Sequence, residues 1–456
     1  MLGKRSFLKG LAATAAALPS LSAGGPARAR SDTGYPRLLL GPMVGATGPT
    51  SVTIWGMVRG AFPVTVQVIT ELEAATPLAE ATVEADGAGP VAVTIEGLAP
   101  ATRYAYRVLV AGERDRYRRG QPLPTVKTAP AVGAASNFRL AFGSCARFQA
   151  DAVQHIWATV AAAQPDLFLW LGDNIYADSL VPRVLDLEYQ RQRAVAAYQP
   201  VARSVSNLAV WDDHDFGLNN HDRTNPVKEA GLAAFKRYWA NPAYGLADTP
   251  GVFFRHSYGA VDLFCLDGRF YRDPNSAEDG PDKTLLGAAQ LSWLKSELKA
   301  SDAIFKVLAC GSGWSAAKGP GGDSWAAFLH ERDALFDFIR DEDIRGVVLI
   351  SGDTHVAELN CIPRSQAGGY DLYDVVSSPL AQRPSLSWVK RTPEVRIRRP
   401  FPQDNNVGLL EFDFSADPTV TASVRGTDGR LGYPPLTLRA SDLQNGVSSW
   451  QRLQQL

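Results

Sequence analysis

The stretch DLFLWLGDNIYAD at residues 166–178 contains the feature that decides the fold. Its first half, Leu167–Leu171, is an uninterrupted apolar run with the length of a buried strand. The run ends at Gly172-Asp173, so a glycine that allows close approach of backbone precedes a carboxylate. A carboxylate in that place suits a ligand that bridges two hard cations. Tyr176 adds a phenolic oxygen three residues later.

Similar apolar runs, alternating with helical patterns, recur over residues 137–440. Apolar runs lie at 138–142, 167–171, 208–211, 261–266, 305–309 and 347–351, and helical spacing of apolar residues at 151–164, 286–298 and 325–340. The alternation predicts an α/β domain with buried strands, and Asp151 is placed to cap the first helix. Such sheets bind ligands beyond the carboxyl ends of their strands. The polar residues that follow each run are therefore the candidate site.

The run at 138–142 is followed by Gly143-Ser144-Cys145-Ala146-Arg147-Phe148. Arg147 is expected to lower the pKa of the Cys145 thiol and is able to pair with a phosphate oxygen. Taken alone, the segment favours a structural cysteine over a functional one.

The run at 208–211 leads into the densest polar segment of the chain. Eight of the eleven residues at 212–222 are Asp, His or Asn, beginning with Asp212-Asp213-His214-Asp215. Close carboxylates repel one another unless a cation neutralises them. Metal binding is therefore favoured over a solvated loop.

The run at 347–351 ends in a Gly352-Asp353-Thr354-His355 segment. Asp353 and His355 are two residues apart and can both face one site at a strand end. Neutral imidazole is a common ligand of iron, zinc or manganese. The histidines that lie in helix or strand patterns, for which a structural role is favoured, are His155, His256 and His330.

Residues 37–130 have a different pattern. Short alternating runs at 51–57, 64–70, 92–95 and 104–110 are separated by turn residues, which predicts a β-sandwich. Residues 98–104, followed by Tyr106, resemble the corner before a late strand of fibronectin type III domains. This part of the sequence contains no constellation of catalytic side chains, and the Ala- and Pro-rich residues 127–133 read as a linker.

Residues 1–29 have the three parts of an export signal. Basic residues at 4, 5 and 9 precede an apolar stretch at 11–23 and the small-x-small sequence Ala27-Arg28-Ala29. The start is similar to a twin-arginine signal in which lysine replaces the first arginine. A packed alanine-rich helix is less favoured because Pro19 would interrupt it. We expect an exported protein, periplasmic or secreted, with no other segment able to span a bilayer.

Charge and cysteine content exclude some alternatives. The formal net charge is −1 with both signs interleaved, so neither nucleic acid nor an anionic membrane is indicated as a partner. Four cysteines could form two disulfides in an exported chain. Cys265 and Cys310 lie inside apolar runs, however, where a free cysteine behaves as a small hydrophobe. The oligomeric state is not predicted.

The four polar clusters, in this order, resemble the PhoD-like alkaline phosphatase family, which belongs to the calcineurin-like metallophosphoesterases. Further matches lie at residues 266–272, 286–294 and 323–325, so the resemblance covers about residues 39–438. It implies an α/β fold, with a calcineurin-like αββα sandwich at 137–440 preceded by a fibronectin- or immunoglobulin-like β-sandwich at 37–130. Residues 441–456 would form a C-terminal tail.

Carried over to this chain, the resemblance implies specific roles. Asp173 would bridge two metals, and Cys145 and Tyr176 would complete an iron(III) side. Asp213 would bind the second metal, and His214 would be the catalytic imidazole.

The resemblance also implies a last ligand pair and a second kind of metal. Asp353 and His355 match the last ligand pair, and calcium, as one or two ions, is implied beside iron(III). The acids and amides left open for the second metal or the substrate are Asn174, Asp212, Asp215, Asn219 and Asn220.

The implied reaction is phosphoester hydrolysis by a metal-bound hydroxide. Two cations that share Asp173 would lower the pKa of a bound water, which would attack phosphorus. Cys145, already a ligand, would not be the nucleophile. His214 would protonate the leaving alkoxide or hold the equatorial oxygens, and Arg147 would neutralise developing phosphoryl charge.

Two alternatives remain beside a phosphatase acting on a small-molecule or polymer phosphoester. One is a phosphodiesterase, either phospholipase-D-like or acting on teichoic acid, since nothing in the sequence separates monoesters from diesters. The other is a non-enzymatic, metal-holding protein that binds a surface polymer.

Overall fold

The computed structural model describes residues 36–70, 76–87, 89–115 and 120–454. The export signal predicted at residues 1–29 lies outside these ranges. Within them, no helix has the length and apolar character needed to cross a bilayer.

Residues 38–127 form two antiparallel sheets. Their strands are β1 (Leu38–Thr47), β2 (Val52–Val58), β3 (Pro63–Ile69), β4 (Ala79–Glu84), β5 (Pro90–Ile95), β6 (Arg103–Val110), β7 (Glu113–Arg114) and β8 (Thr125–Lys127). One sheet has the order β1-β2-β5, and the other has the order β4-β3-β6-β7 with β8 beside β6. Alternate residues of β3, Val64, Val66 and Val68, are buried in an apolar cluster to which both sheets contribute. The period-2 pattern of the sequence therefore corresponds to an inward and an outward face.

The corner that precedes β6 is closed by a side chain. The Tyr104 hydroxyl accepts a hydrogen bond from the Ala99 amide at 2.9 Å, the contact that a tyrosine corner makes. Two residues on, the Tyr106 hydroxyl donates to the Arg203 carbonyl at 2.8 Å. This strand therefore also joins the N-terminal sheets to the rest of the chain.

The remaining strands form two larger sheets and a short hairpin. They are β9 (Phe138–Gly143), β10 (Leu167–Leu171), β11 (Ser206–Val210), β12 (Gly245–Leu246), β13 (Thr249–Pro250), β14 (Phe254–Tyr258), β15 (Val261–Cys265), β16 (Phe305–Ala309), β17 (Val347–Ser351), β18 (Glu358–Ile362), β19 (Leu372–Val376), β20 (Val395–Arg396), β21 (Asn406–Asp413), β22 (Thr419–Gly426) and β23 (Leu436–Arg439). One sheet has the order β11-β10-β9-β21-β22-β23 and the other β14-β15-β16-β17-β19-β18-β20. Both mix parallel and antiparallel pairs.

The helices of the described residues lie in the connections between these strands and at the end of the chain. They are α1 (Ile156–Ala163), α2 (Pro182–Ala194), α3 (Gln199–Ser204), α4 (Asp213–Phe216), α5 (Lys228–Tyr238), α6 (Ala288–Lys299), α7 (Leu329–Asp341), α8 (Leu386–Val389) and α9 (Trp450–Gln454). The helices predicted at 286–298 and 325–340 correspond to α6 and α7.

Parallel pairing brings the polar clusters to one edge. Every residue of β10 is buried, and β10 pairs in parallel with both β9 and β11. In the second sheet β15, β16, β17 and β19 are parallel. The two sheets meet where the Leu380 amide donates to the Ser144 carbonyl at 2.8 Å. The carboxyl ends of strands from both sheets therefore surround one site.

Two details of the sequence interpretation are settled by the structure. The helix predicted at 151–164 begins only at Ile156, because Asp151 accepts hydrogen bonds from the Val153 and Gln154 amides and so stabilises a preceding turn. The prediction that Asp151 caps the helix is wrong. All four cysteines are buried and free, as the apolar runs around Cys265 and Cys310 predicted for those two.

Candidate metal centre

Four of the six predicted ligands share an unusual backbone conformation. Cys145, Asp173, Asp353 and His355 have φ values of 61°, 50°, 69° and 52°, in the left-handed region that non-glycine residues seldom adopt. Each lies just after a strand end. Such conformations persist where the surrounding structure enforces them, and they concentrate at functional sites. The sharp turns bring these four residues to the shared strand edge.

The first donor group combines sulfur, oxygen and nitrogen. Ligand atoms of Cys145, Asp173 and His355 lie within 4.8 Å of one another. The Cys145 thiol donates to Asp173 Oδ2 at 3.3 Å, and the Tyr176 hydroxyl donates to the same oxygen at 3.1 Å. That hydroxyl is also 3.1 Å from His355 Nε2. Four of the predicted ligands therefore converge from three separate segments.

The second donor group shares one member with the first. Ligand atoms of Asp173, Asp213 and His214 also lie within 4.8 Å of one another. Asp213 is fixed on both sides, since Oδ1 accepts from the His214 amide at 3.0 Å and Oδ2 from the Asn220 amide at 2.6 Å. Asp173 thus belongs to both donor groups, and Asn220 contributes its backbone rather than its side chain.

The electrostatics of the first group are those of crowded, buried acids. Burial, followed by the charges of Cys145 and Asp213, raises the pKa of Asp173 well above its usual value. Burial, with Asp353 as the next cause, raises the pKa of the Cys145 thiol to about 11. The expectation that Arg147 lowers this pKa is wrong, because Arg147 is exposed and its guanidinium lies 5.2 Å from the centre of the Tyr176 ring. A bound metal cation would offset the repulsion between the negative charges of these buried acidic groups.

His214 is held in one orientation. Its Nδ1 is 2.5 Å from Asp178 Oδ1, and its ring lies against that of Tyr176 with centroids 4.1 Å apart. Although burial acts in the opposite direction, Asp173 and then the hydrogen bond to Asp178 raise the pKa of His214 to about 10. The sequence interpretation gave Asp178 no role, although it lies in the same loop five residues after Asp173.

Three residues left open by the sequence serve other side chains or face solvent. Asp215 Oδ2 accepts from the Asn174 amide group at 2.6 Å, and its Oδ1 accepts from the Asp212 backbone at 2.8 Å. Asp212 Oδ1 accepts from Arg269 Nε at 2.5 Å. Asn219 is exposed.

Asp353 is a member of neither three-residue group. Its carboxylate forms an ion pair with Lys318, and its backbone amide donates to the Ser144 hydroxyl at 3.1 Å. Neither Lys318 nor Arg269 was found from the sequence, where Arg269 appeared only inside a longer family match. The pairing partners of a carboxylate depend on contacts between segments far apart in the chain.

The donor chemistry fits two cations. Among the described residues, Asn174 Oδ1 and Asp212 Oδ2 are buried without a hydrogen-bond partner, and buried oxygens are seldom left so. A thiolate with imidazole and phenolate suits a transition metal, whereas carboxylate and amide oxygens suit calcium. The residues present therefore fit a metal centre with two chemically distinct sides.

Two mixed sheets with a carboxylate shared between two donor groups at their strand ends define the chain as a metallophosphoesterase-type protein. A family model described as PhoD-like phosphatase matches residues 140–391, more than half of the chain. The chain belongs to the PhoD-like phosphatase family, which confirms the resemblance found in the sequence. A second model, described as a domain of unknown function (DUF7800), matches residues 35–128.

Individual relatives agree with this assignment. Alkaline phosphatase D of Bacillus subtilis (strain 168) is 29% identical, over 59% of this chain and 53% of that protein. The chain therefore matches about half the length of this relative.

Solved structures support the fold. A structure of PhoD superposes with a TM-score of 0.75 at 19% identity, covering 91% of this chain and 94% of that one. Purple acid phosphatase PPD1 from yellow lupin (Lupinus luteus) seeds gives a TM-score of 0.60 at 12% identity, covering 87% and 74%. These likenesses support the calcineurin-like fold that the resemblance implied, and the sheets of that fold are mixed.

Proposed function

We propose that this chain is a metal-dependent phosphoester hydrolase of the alkaline phosphatase and phosphodiesterase type. The observation that carries the proposal is the position of Asp173, which belongs to two donor groups whose ligand atoms each lie within 4.8 Å of one another. Membership of the PhoD-like phosphatase family supports the same reaction class.

The donor types suggest which residues would hold which cation. Cys145, Tyr176 and His355 would hold iron(III) on one side of Asp173, and Asp213 would hold calcium, as one or two ions, on the other. Asp353, Asn174, Asp212 and Asp215 would support the calcium side. When bound, the two cations would lower the pKa of a water molecule so that it attacks phosphorus.

The chain's own residues would act on the leaving group and on the phosphoryl oxygens. His214 would donate its Nε2 proton to the departing alkoxide, since Asp178 occupies Nδ1 at 2.5 Å. Arg147, exposed beside the Tyr176 ring, would bind the phosphoryl oxygens. The thiol of Cys145 would remain a ligand and take no part in attack.

Metal analysis of protein purified without chelator, combined with ester assays with and without calcium, tests the proposal. We expect about one iron per chain and calcium-dependent hydrolysis of nitrophenyl phosphate or its bis-ester. Protein that stays metal-free and inert on both esters after reconstitution with iron and calcium would contradict it. That result would favour a protein that binds a surface polymer without hydrolysing it.

A second candidate, a phosphodiesterase acting on phospholipid or teichoic acid, is favoured by exposed apolar side chains in segments near the polar clusters. Five exposed apolar side chains lie in segments that follow the polar clusters or are bonded to them, namely Val153, Leu180, Val181, Leu218 and Leu386. Leu386 begins α8, and the residue before it is tied to the site, because the Ser385 amide donates to the His355 carbonyl at 2.7 Å. Exposed apolar patches commonly mark binding surfaces.

Direct comparison of substrates separates the two candidates. Faster hydrolysis of phosphatidylcholine or of bis-nitrophenyl phosphate than of the monoester would support the diesterase. A clear preference for the monoester would support the phosphatase.

We propose the following organisation for the whole chain. Residues 37–130 would be a fibronectin- or immunoglobulin-like β-sandwich, 137–440 the catalytic domain and 441–456 a tail. The separate apolar cluster of the N-terminal sheets supports the first boundary. Residues 1–29 would direct export to the periplasm or medium by the twin-arginine route. Fractionation of cells that express the full chain, or the chain with a twin-lysine signal, tests the route.

The proposed partner is a phosphoester substrate, either a small molecule or a polymer. Neither a nucleic-acid partner nor stable membrane insertion is proposed.

A further inference from the structure

Asp323 is the centre of a buried ionic network that lies outside both donor groups. Its carboxylate accepts two hydrogen bonds from Arg269, at 3.0 and 2.6 Å, and one from Arg272 at 2.8 Å. Its backbone carbonyl accepts from Lys318 Nζ at 2.6 Å. Both arginines are 0% exposed, so salt and water screen these charges little. We refer to Asp323, Arg269 and Lys318 as the ionic frame.

Two basic side chains of the frame, Arg269 and Lys318, contact carboxylates of the site. Arg269 Nε donates to Asp212 Oδ1 at 2.5 Å, and Arg269 Nη2 lies 4.0 Å from Asp213 Oδ1. Lys318 pairs with Asp353. Arg269 therefore connects the frame to the polar cluster at 212–222. Lys318 connects it to the segment that contains Asp353.

The surroundings of Asp212 leave its side chain little freedom. A Cβ built on Gly172 would lie 2.5 Å from the Asp212 Cβ, and one built on Gly311 would lie 3.0 Å from the Asp212 Cγ. The side chain is thus enclosed by two glycines, and Arg269 fixes the direction of its carboxylate. Among the described residues its Oδ2 has no hydrogen-bond partner.

We propose that the ionic frame is a positioning unit that holds Asp212, Asp213 and Asp353 directed toward the divalent cation. The inference rests on the proposed function, since it assumes that a divalent cation binds beside Asp213. Arg269 is the member that fixes the geometry, because a planar guanidinium binds two carboxylates at fixed angles, which an ammonium group does not reproduce. Residues of this kind, one contact away from a metal, commonly change metal affinity about 10- to 100-fold when replaced.

Calcium titration of chelator-treated protein, with the binding affinity measured by calorimetry, tests the role of the frame without an activity assay. For Arg269→Met we expect calcium to bind about 10- to 100-fold more weakly than to the wild type. Arg269→Lys, which keeps the charge and loses the planar fork, is expected to give an intermediate affinity. Arg255→Met is the matched control, because it removes an arginine paired with Asp262 at 2.7 Å on β14 and β15, and it should bind calcium as the wild type does.

A second variant decides the outcome if Arg269→Met does not fold. Asp323→Asn keeps the shape of the hub and removes its charge, and it should also weaken calcium binding while retaining the wild-type circular dichroism spectrum. Wild-type calcium affinity in folded Asp323→Asn and Arg269→Met protein would overturn the positioning role alone. Wild-type protein that binds no calcium would overturn the proposed metal centre as well, so the two failures are distinguishable.

Discussion

The N-terminal sheets at residues 38–127 and the site-bearing sheets at residues 138–439 are both pairs of sheets, but they differ in what they bury. Among the described residues of the N-terminal sheets, Thr47 is the one polar side chain in the buried class. The site-bearing sheets bury many ionisable groups, with Asp173, Asp212 and Arg269 each at most 1% exposed. Burial of charge is costly unless it is paired. Asp173, Asp212 and Arg269 lie together at the strand ends, which indicates that some stability is given up there for chemistry.

The backbone shows the same contrast. In the N-terminal sheets the left-handed residues Ala101 and Ala111 lie at turns between strands. In the site-bearing sheets left-handed residues include the predicted ligands Cys145 and Asp173. The left-handed backbone conformation therefore joins strands in the N-terminal sheets, whereas in the site-bearing sheets it orients predicted metal ligands. Four substitutions test how far this contrast holds.

Asp173→Asn should have the largest effect. Loss of the shared carboxylate removes several kcal/mol of transition-state stabilisation, so we expect hydrolysis to fall at least about 10³-fold. The metal-free variant should melt at a higher temperature than metal-free wild type at pH 8, because burial raises the pKa of Asp173 and its charged form is destabilising. Ester assays and thermal melts measure the two effects.

The opposite end of the same strand region provides the control. Asp166 precedes β10 and pairs with Lys127 at 2.7 Å. Asp166→Asn should leave hydrolysis unchanged. A similar loss of activity in Asp166→Asn and Asp173→Asn would mean that the carboxyl end of β10 has no special role in hydrolysis. It would contradict the contrast between the two regions.

His214→Ala tests whether the half-buried imidazole of His214 serves the leaving group. We expect a loss of about 10²-fold on an alkyl phosphoester, whose leaving group needs a proton, and a smaller loss on a nitrophenyl ester. Asp178→Asn should show the same selectivity with a smaller loss, because the 2.5 Å contact orients the imidazole. Equal losses on both esters would exclude His214 as the general acid.

Sequence alone predicts the strands and the composition of the site. The apolar runs at 167–171, 305–309 and 347–351 coincide with β10, β16 and β17, because a buried parallel strand must be apolar throughout. Asp173 follows the first of these runs, and Asp353 and His355 follow the last, so their membership in one site could be inferred from the geometry of parallel sheets.

The remaining features depend on long-range contacts. The Ser144 hydroxyl contacts the Ser377 carbonyl, 233 residues away in sequence, and Arg269 reaches Asp212 across 57 residues. No local pattern encodes such pairs. The late start of α1 had a different cause, since the Asp151 side chain competes for backbone amides before the helix begins.

His256 should make the site-bearing sheets lose stability in acid. Residues 38–127 contain no histidine that could have the same effect. Burial lowers the pKa of His256 to about 4, below the unfolded value of about 6.5. The unfolded chain therefore binds the proton first, and stability present above pH 6.5 is lost as the pH falls toward 4. We expect this residue to contribute about 3 kcal/mol of that loss.

Denaturant unfolding between pH 7 and pH 4 measures this contribution. His256→Phe should flatten the decline in stability, whereas His330→Asn, at an exposed position, should leave it unchanged. A wild-type slope in His256→Phe protein would assign the acid sensitivity to other groups.

Tyr104→Phe should have the smallest effect and the clearest interpretation. It removes the hydroxyl that accepts from the Ala99 amide at 2.9 Å, which should cost about 1 kcal/mol of stability. Because the N-terminal sheets bury no ionisable group of the site, kcat and KM should not change. Tyr106→Phe removes instead the bond to the Arg203 carbonyl, the link between the regions. If Tyr106→Phe lowers kcat while Tyr104→Phe does not, the N-terminal sheets support the site through that contact; if neither does, the division of labour between the regions is complete.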